Sequence, residues 1–373
     1  GQPVVWENPQ TNKTEIIFGA YDGAVHFVDA DTGIDVRPKF QTGDIIKGSV
    51  SMDPDGYPLI YFGSRDNNIR VVALDRDVPT EIWHINADHD NGLWNNDWDA
   101  NPIIDMDIMY EGGENGYFYI VKLNRSYGAD GKVNLDPKFL FTMPSYDETL
   151  LKNIGDKTVS IEGSPAKFGD TVYFSNSGGR IIGLDVSDVL NGNAPIVFDY
   201  WTGDDTDASI VVDDEGMLYV ASEDERTNTA SVAQKKINGQ LMKLDPSKPD
   251  NPLVWSVQVP KKAGMTGGIW ATPAIDANYV YTVTNPGDLL IVDKNTGEEI
   301  YSKYLGGPLW SSPNLIDGNL VITTCKGNVI AYDISDIKNL NEIWNIQIPS
   351  TSCIESTPAI WNGNMWFGVR EGD

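Results

Sequence analysis

Apolar and polar residues alternate along this chain in short runs, and the runs recur in sets of four. A set opens with a small polar residue and proline ahead of a short apolar strand. A turn, a second apolar strand and a glycine-containing turn follow, and a third apolar strand then ends in Asp. Seven copies are marked by these endings: Phe27-Val28-Asp29, Ala73-Leu74-Asp75, Lys122-Leu123-Asn124, Gly183-Leu184-Asp185, Lys243-Leu244-Asp245, Ile291-Val292-Asp293 and Ala331-Tyr332-Asp333. After the marker come a polar turn and an aromatic-bearing fourth strand, as in Glu81-Ile82-Trp83, Leu253-Val254-Trp255 and Glu342-Ile343-Trp344. The markers recur roughly every 40 to 60 residues, the spacing of four-stranded propeller blades. A helical period is sustained only over Tyr146 to Lys157, between two blades. The expected fold is all-β, a β-propeller of four-stranded antiparallel blades forming one domain over residues 1–373.

The repeat phase also predicts how the ring is completed. The opening Gln2-Pro3-Val4-Val5-Trp6, with Glu15-Ile16-Ile17-Phe18-Gly19, matches the closing Thr357-Pro358-Ala359-Ile360-Trp361, with Asn364-Met365-Trp366-Phe367-Gly368. Seven full blades plus the first two strands of another are expected. That implies an eight-bladed ring whose last blade is incomplete here, in a chain that is a fragment of a longer one, because an open strand edge is a liability.

Charge narrows the partners. The chain has 54 acidic and 27 basic residues, a formal charge of −27, which repels polyanions. Nucleic acid and anionic membrane surfaces are excluded as partners, and no run is long and apolar enough to span a bilayer. The two cysteines, Cys325 and Cys353, fall at the end of a second strand and the start of the next blade's first strand. The antiparallel order brings these positions together, leaving open a disulfide or two buried thiols. A bond would favour an exported, periplasmic or extracellular protein.

Candidate chemistry gathers on one face, where the longest connections lie: 86–101, 144–164 and 222–240. The first carries Asp88, His89, Asp90, Trp94, Asp97, Trp98 and Asp99, a mixture suited to a cation, a carbohydrate or a flat ring. The residue before the small-small-Pro step of each first strand reads Asp99, Glu162, Ala271, Ser311 and Glu355, with Asp207 and Lys47 at the matching places. First strands line the channel of a propeller, so these side chains are expected to ring one of its mouths. Asp99, Glu162 and Asp207 then form a candidate metal set, holding either Ca²⁺ or the ammonium of Lys47. The sequence has no Gly-rich phosphate loop, HExxH, CxxC or GxSxG motif, and its only histidines are His26, His84 and His89. A hydrolytic triad and a zinc site are thereby excluded.

Asp29-Ala30-Asp31-Thr32-Gly33, Asp293-Lys294-Asn295-Thr296-Gly297, Trp270-Ala271-Thr272-Pro273-Ala274-Ile275-Asp276, Trp310-Ser311-Ser312-Pro313 and Asp97-Trp98-Asp99-Ala100-Asn101-Pro102 resemble the quinoprotein-type propellers built from pyrroloquinoline-quinone (PQQ)-like repeats. The resemblance implies that the Asp-to-Gly turns and the tryptophans lock adjacent blades. Two functions follow from it. One is an exported, non-catalytic binding or assembly scaffold presenting an acidic, Trp-bearing face to a protein, glycan or cation. The other is a PQQ- and Ca²⁺-dependent dehydrogenase of an alcohol or sugar. The latter would use Asp99 as base and Glu162, Asp207 and Asn101 as metal ligands. Lys47, Arg65, Arg180, Lys326 and Arg370 would face the cofactor's carboxylates, and Trp270 or Trp310 would form its floor. The vicinal cysteine pair that alcohol-oxidising members carry over the cofactor is absent, which favours the scaffold.

Overall fold

The computed structural model describes residues 1–262, 264–349 and 352–370. Seven four-stranded antiparallel blades succeed one another, each adding its strands in chain order. Blade one comprises Val4–Asn8, Lys13–Gly19, Ala24–Asp29 and Phe40–Gln41, and blade seven Asn314–Ile316, Asn319–Thr323, Asn328–Asp333 and Asn341–Gln347. Blades two to six lie within 51–86, 103–144, 166–201, 211–257 and 274–304. The expected count of eight is corrected to seven. Past blade seven, the described residues form only a two-stranded hairpin, Ala359–Trp361 with Asn364–Trp366. This hairpin lies against blade one, where the Gln2 side-chain amide donates to Pro358 O at 2.9 Å and Ser356 Oγ donates to Gly1 O at 2.7 Å.

The alternation in each strand builds the interfaces. Second and third strands are buried on both faces, so successive side chains are sent to opposite neighbouring blades. In blade four, Val172 and Phe174 pack with Tyr110 and Phe118 of blade three, whereas Tyr173 packs with Ile210 and Leu218 of blade five. Six such apolar clusters join blades one to seven pairwise. Each fully buried Leu, Ile, Val or Phe contributes about 1.5–3 kcal/mol. The Asp-to-Gly turns are structural: Asp29 and Asp293 each accept the N–H of the Thr three residues on, at 3.0 and 2.9 Å, and Gly33 and Gly297 close the turns at φ 68° and 71°.

Two short helices interrupt the β-structure. α1 (Glu148–Ile154) falls in the expected stretch, capped by Asp147 Oδ1 accepting the Leu150 N–H at 2.8 Å. α2 (Thr229–Asn238), inside the second-to-third strand connection of blade five, was not anticipated. Cys325 and Cys353 are disulfide-bonded, tying the turn after the second strand of blade seven to the segment that leads into the hairpin.

One buried position breaks the pattern. Glu111 stands in the second strand of blade three where Phe62 and Phe174 stand in blades two and four, each directly ahead of a small residue, Gly112, Gly63 and Ser175 respectively. It is fully buried and neither carboxylate oxygen has a partner. Burial pushes its pKa well above the usual carboxylate range, so the folded state retains a proton the unfolded chain releases. Stability from this group is therefore greatest below the ordinary Glu pKa and is lost as pH rises toward the folded value. Glu111→Leu is expected to stabilise the protein by about 1–3 kcal/mol at pH 8 and by less at pH 5. Thermal melts at both pH values check this, and a Leu variant melting below the parent at pH 8 would refute it.

Candidate functional site

Each first strand is entered through a three-residue step whose middle residue is small. Neighbouring chains touch backbone to backbone there: a Cβ on Gly48 would lie 2.5 Å from Asp99 O, and one on Gly163 would lie 2.8 Å from Ala208 O. The third residue of each step is Ser, Thr or Asn, and its side-chain oxygen accepts the N–H of its counterpart one blade back. The donors and acceptors run Gln2 to Ser49, Ser49 to Asn101, Asn101 to Ser164, Ser164 to Ser209, Ser209 to Thr272, Thr272 to Ser312 and Ser312 to Thr357, at 2.7–3.2 Å. This belt fixes the register of the inner ring.

The belt corrects one sequence alignment. Counting back two residues from each belt side chain places Trp270 and Trp310 at the ring position, not Ala271 and Ser311. Around the mouth the ring therefore reads Lys47, Asp99, Glu162, Asp207, Trp270, Trp310 and Glu355, and all seven line one cavity of about 1030 Å³. Its walls also include Tyr21, Asp205, Glu223, Glu225 and Arg370, which gives seven carboxylates against two cations.

Charge divides this mouth. Lys47 Nζ sits 2.9 Å from Asp99 Oδ2 and 3.5 Å from Glu162 Oε2. Arg65 adds a second contact to Asp99 at 2.9 Å and reaches Asp97 at 3.5 Å. Burial alone would raise the Asp99 pKa, but the two cations outweigh it and hold the carboxyl below its usual range. Glu162 is pushed up to about 7 by burial and by Asp207, against Lys47. Glu114, behind them, is pushed up to about 9 by burial and the negative charges of Glu162 and Asp99. Asp207 does not join Asp99 and Glu162 around Lys47. Its nearest group is instead Asp205 and Glu223, the three offering oxygens within 4.8 Å of one another. Burial, then repulsion from Asp207, pushes Glu223 up to about 10.

The other side of the mouth is aromatic. Trp270 and Trp310 stack with centroids 5.0 Å apart and planes 22° from parallel. Trp310 Nε1 donates to Asn285 Oδ1 at 2.8 Å, while the buried Trp270 Nε1 has no partner. Arg370 lies 5.9 Å over Trp310 and pairs with Glu355 at 2.7 Å.

Other candidates are placed elsewhere. Arg180 lies outside the cavity in the third strand of blade four, held by Asp199 at 2.6 Å and Asp147 at 3.2 Å. Lys326 stands in the turn of blade seven beside Gly306 and does not line the cavity. From the 86–101 connection, Trp98 is wholly buried between blades two and three, and Trp94 is exposed. Sequence reading missed Asp205, Glu223 and Glu225, whose place depends on the connection that holds α2. That connection is pinned by Lys235, 2.6 Å from Asp204 and 2.7 Å from Asp224.

PQQ does not fit this arrangement. Its carboxylates need cationic partners, yet Lys47, Arg65 and Arg370 are already engaged by acidic side chains, and the two tryptophans cover each other.

Residues 237–360 match the PQQ_2 family model, described as outer membrane protein assembly factor BamB. No curated protein matches the chain. Among solved structures, BamB from Moraxella catarrhalis superposes with a TM-score of 0.62 at 16% identity, covering 96% of this chain and 89% of that one. The computationally designed Ika8 protein gives 0.63 at 11% identity, with 96% and 91% covered. Saccharomyces cerevisiae Sqt1 gives 0.67 at 10%, with 93% and 86% covered. At these identities the likenesses concern the fold. The repeat markers in all seven blades and the family match over residues 237–360 support a β-propeller of PQQ-like repeats.

Proposed function

We propose that this chain is an exported, non-catalytic binding or assembly scaffold whose acidic, tryptophan-bearing mouth receives a cationic group of a protein partner. The observation that carries this reading is the mouth itself, with seven carboxylates and a stacked tryptophan pair around one cavity and only two cations, both already paired. Ammonium and guanidinium groups are the natural guests of carboxylates beside indole faces. The assembly-factor description of the matching family model and the disulfide support a role in the cell envelope. No helix of the described residues is long and apolar enough to cross a membrane.

A photo-crosslinking residue at Tyr21, on the mouth face, is expected to yield one discrete protein adduct in cells. The same residue at Met106, in the first-to-second strand turn of blade three on the opposite face, is expected to yield none. Adducts from Met106 alone would overturn the reading. Adding PQQ with Ca²⁺ is expected to give no saturable absorbance change and no dye-linked alcohol oxidation; a stoichiometric signal would reinstate the dehydrogenase.

A further inference from the structure

Asp204 and Asp205 are neighbours in sequence, as are Glu223 and Asp224, and the two pairs show contrasting environments. Asp204 and Asp224 share Lys235, and Asp204 also accepts the N–H groups of Glu225 and Arg226 at 2.8 and 2.9 Å. Asp205 and Glu223 lie on the mouth side with Asp207, and among the described residues no Lys, Arg or His forms an ion pair with any of the three. Glu223 is only 4% exposed and its carboxyl group meets that of Asp207 at hydrogen-bonding distance, while Asp205 Oδ1 and Asp207 Oδ1 are enclosed and unpartnered.

The backbone holds these groups in place. The Glu223 N–H donates to Asp205 O at 2.8 Å, and Glu223–Asp224 pairs with Gly267–Gly268 in a small sheet. A Cβ on Gly268 would fall 2.6 Å from Glu223 Cα, so only glycine permits this approach. Two residues past Asp207, Ser209 sits in the hydrogen-bonded belt. Three carboxylates are thus held together by a rigid frame that supplies no counter-charge, the reverse of what is done for Asp204.

We propose that Asp205, Asp207 and Glu223 bind one divalent, oxygen-preferring cation of the Ca²⁺ class. An oxygen-to-oxygen span of up to 4.8 Å suits ligands about 2.3–2.6 Å from a shared ion. Two positive charges offset three carboxylates better than the single charge of an ammonium does. The Asp99–Glu114–Glu162 group has a similar span, but Lys47 and Arg65 already occupy it. This site adjoins the mouth proposed to receive a partner and does not depend on that role, because it is read on the isolated chain.

The test is calorimetric titration of chelator-stripped protein with CaCl₂, together with thermal melts with and without Ca²⁺. One Ca²⁺ per chain and a higher melting temperature in Ca²⁺ are expected. Glu223→Gln and Asp207→Asn are expected to weaken binding at least tenfold, whereas Asp99→Asn leaves it unchanged. In chelator, Glu223→Gln is expected to melt no lower than the parent, which separates lost binding from lost folding. No saturable Ca²⁺ binding to the parent, or binding lost in Asp99→Asn and kept in Glu223→Gln, overturns the assignment.

Discussion

Lys235→Met is expected to destabilise the protein by about 3–5 kcal/mol, the cost of leaving buried carboxylates without their cation. The lysine is 6% exposed and its Nζ donates to Asp204 at 2.6 Å, Asp224 at 2.7 Å and Arg226 O at 2.7 Å. Asp204, with no exposed surface, would keep two backbone N–H donors and Arg226 at 3.9 Å but lose its close counter-charge. Beyond Lys235, α2 buries no apolar side chain and is held by polar contacts, chiefly Asn238, which donates to Trp201 O and Thr202 O at 2.9 and 2.8 Å. Limited proteolysis should therefore cut the variant within 225–240 well before the parent, while the seven blades stay protected. Equal cleavage rates and an unchanged melt would contradict this account.

Opening the Cys325–Cys353 bond should act on a different part of the ring. The bond closes a 28-residue separation, and the chain-entropy treatment assigns such a link about 3–4 kcal/mol. Its effect is local because the segment's other anchors also lie mainly on blade seven: Ile354, Ile360, Met365 and Phe367 pack there, and the Ile354 N–H donates to Thr324 O at 3.3 Å. In a Cys325→Ser, Cys353→Ser variant, hydrogen exchange is expected to rise sharply over residues 354–368 and to stay unchanged in blades two to six. Uniform exchange in parent and variant would show that the hairpin is held by packing alone.

Much of this architecture was legible because every blade must solve the same problem. The third-strand Asp and the two-sided burial of the strands ahead of it recur in Asp29, Asp185, Asp293 and Asp333, so the repeat shows through low similarity. The mouth was harder to read. Ser311-Ser312-Pro313 presents two small polar residues in a row, and periodicity cannot say which one bonds across blades; only the bond from Ser312 N to Thr357 Oγ1 settles it. A one-residue slip there hid Trp310 from the ring. α2 escaped notice because polar residues anchor it, and with it went Glu223, which reaches Asp207 through space from another part of blade five. The carboxylates of Asp99, Glu162 and Asp207 were read as equivalent, yet Lys47 divides them. The position of a flexible lysine is set by packing, not by repeat phase.

The hairpin leaves the ring with two kinds of joint. Its apolar residues, Ile354, Ile360, Met365 and Phe367, pack on Val321, Val329 and Trp344 of blade seven, and that cluster includes nothing from blade one. Toward blade one the contacts described above are polar: Gln2 to Pro358, Ser356 to Gly1, and Tyr21 OH to Glu355 at 3.4 Å. Water can replace each of these bonds at little net loss, which it cannot do for the six dry interfaces. The ring thus contains an expansion joint. Because Tyr21 and Glu355 stand on its two sides and both line the cavity, opening it by a fraction of a side chain's width enlarges the mouth without exposing any of the interblade core.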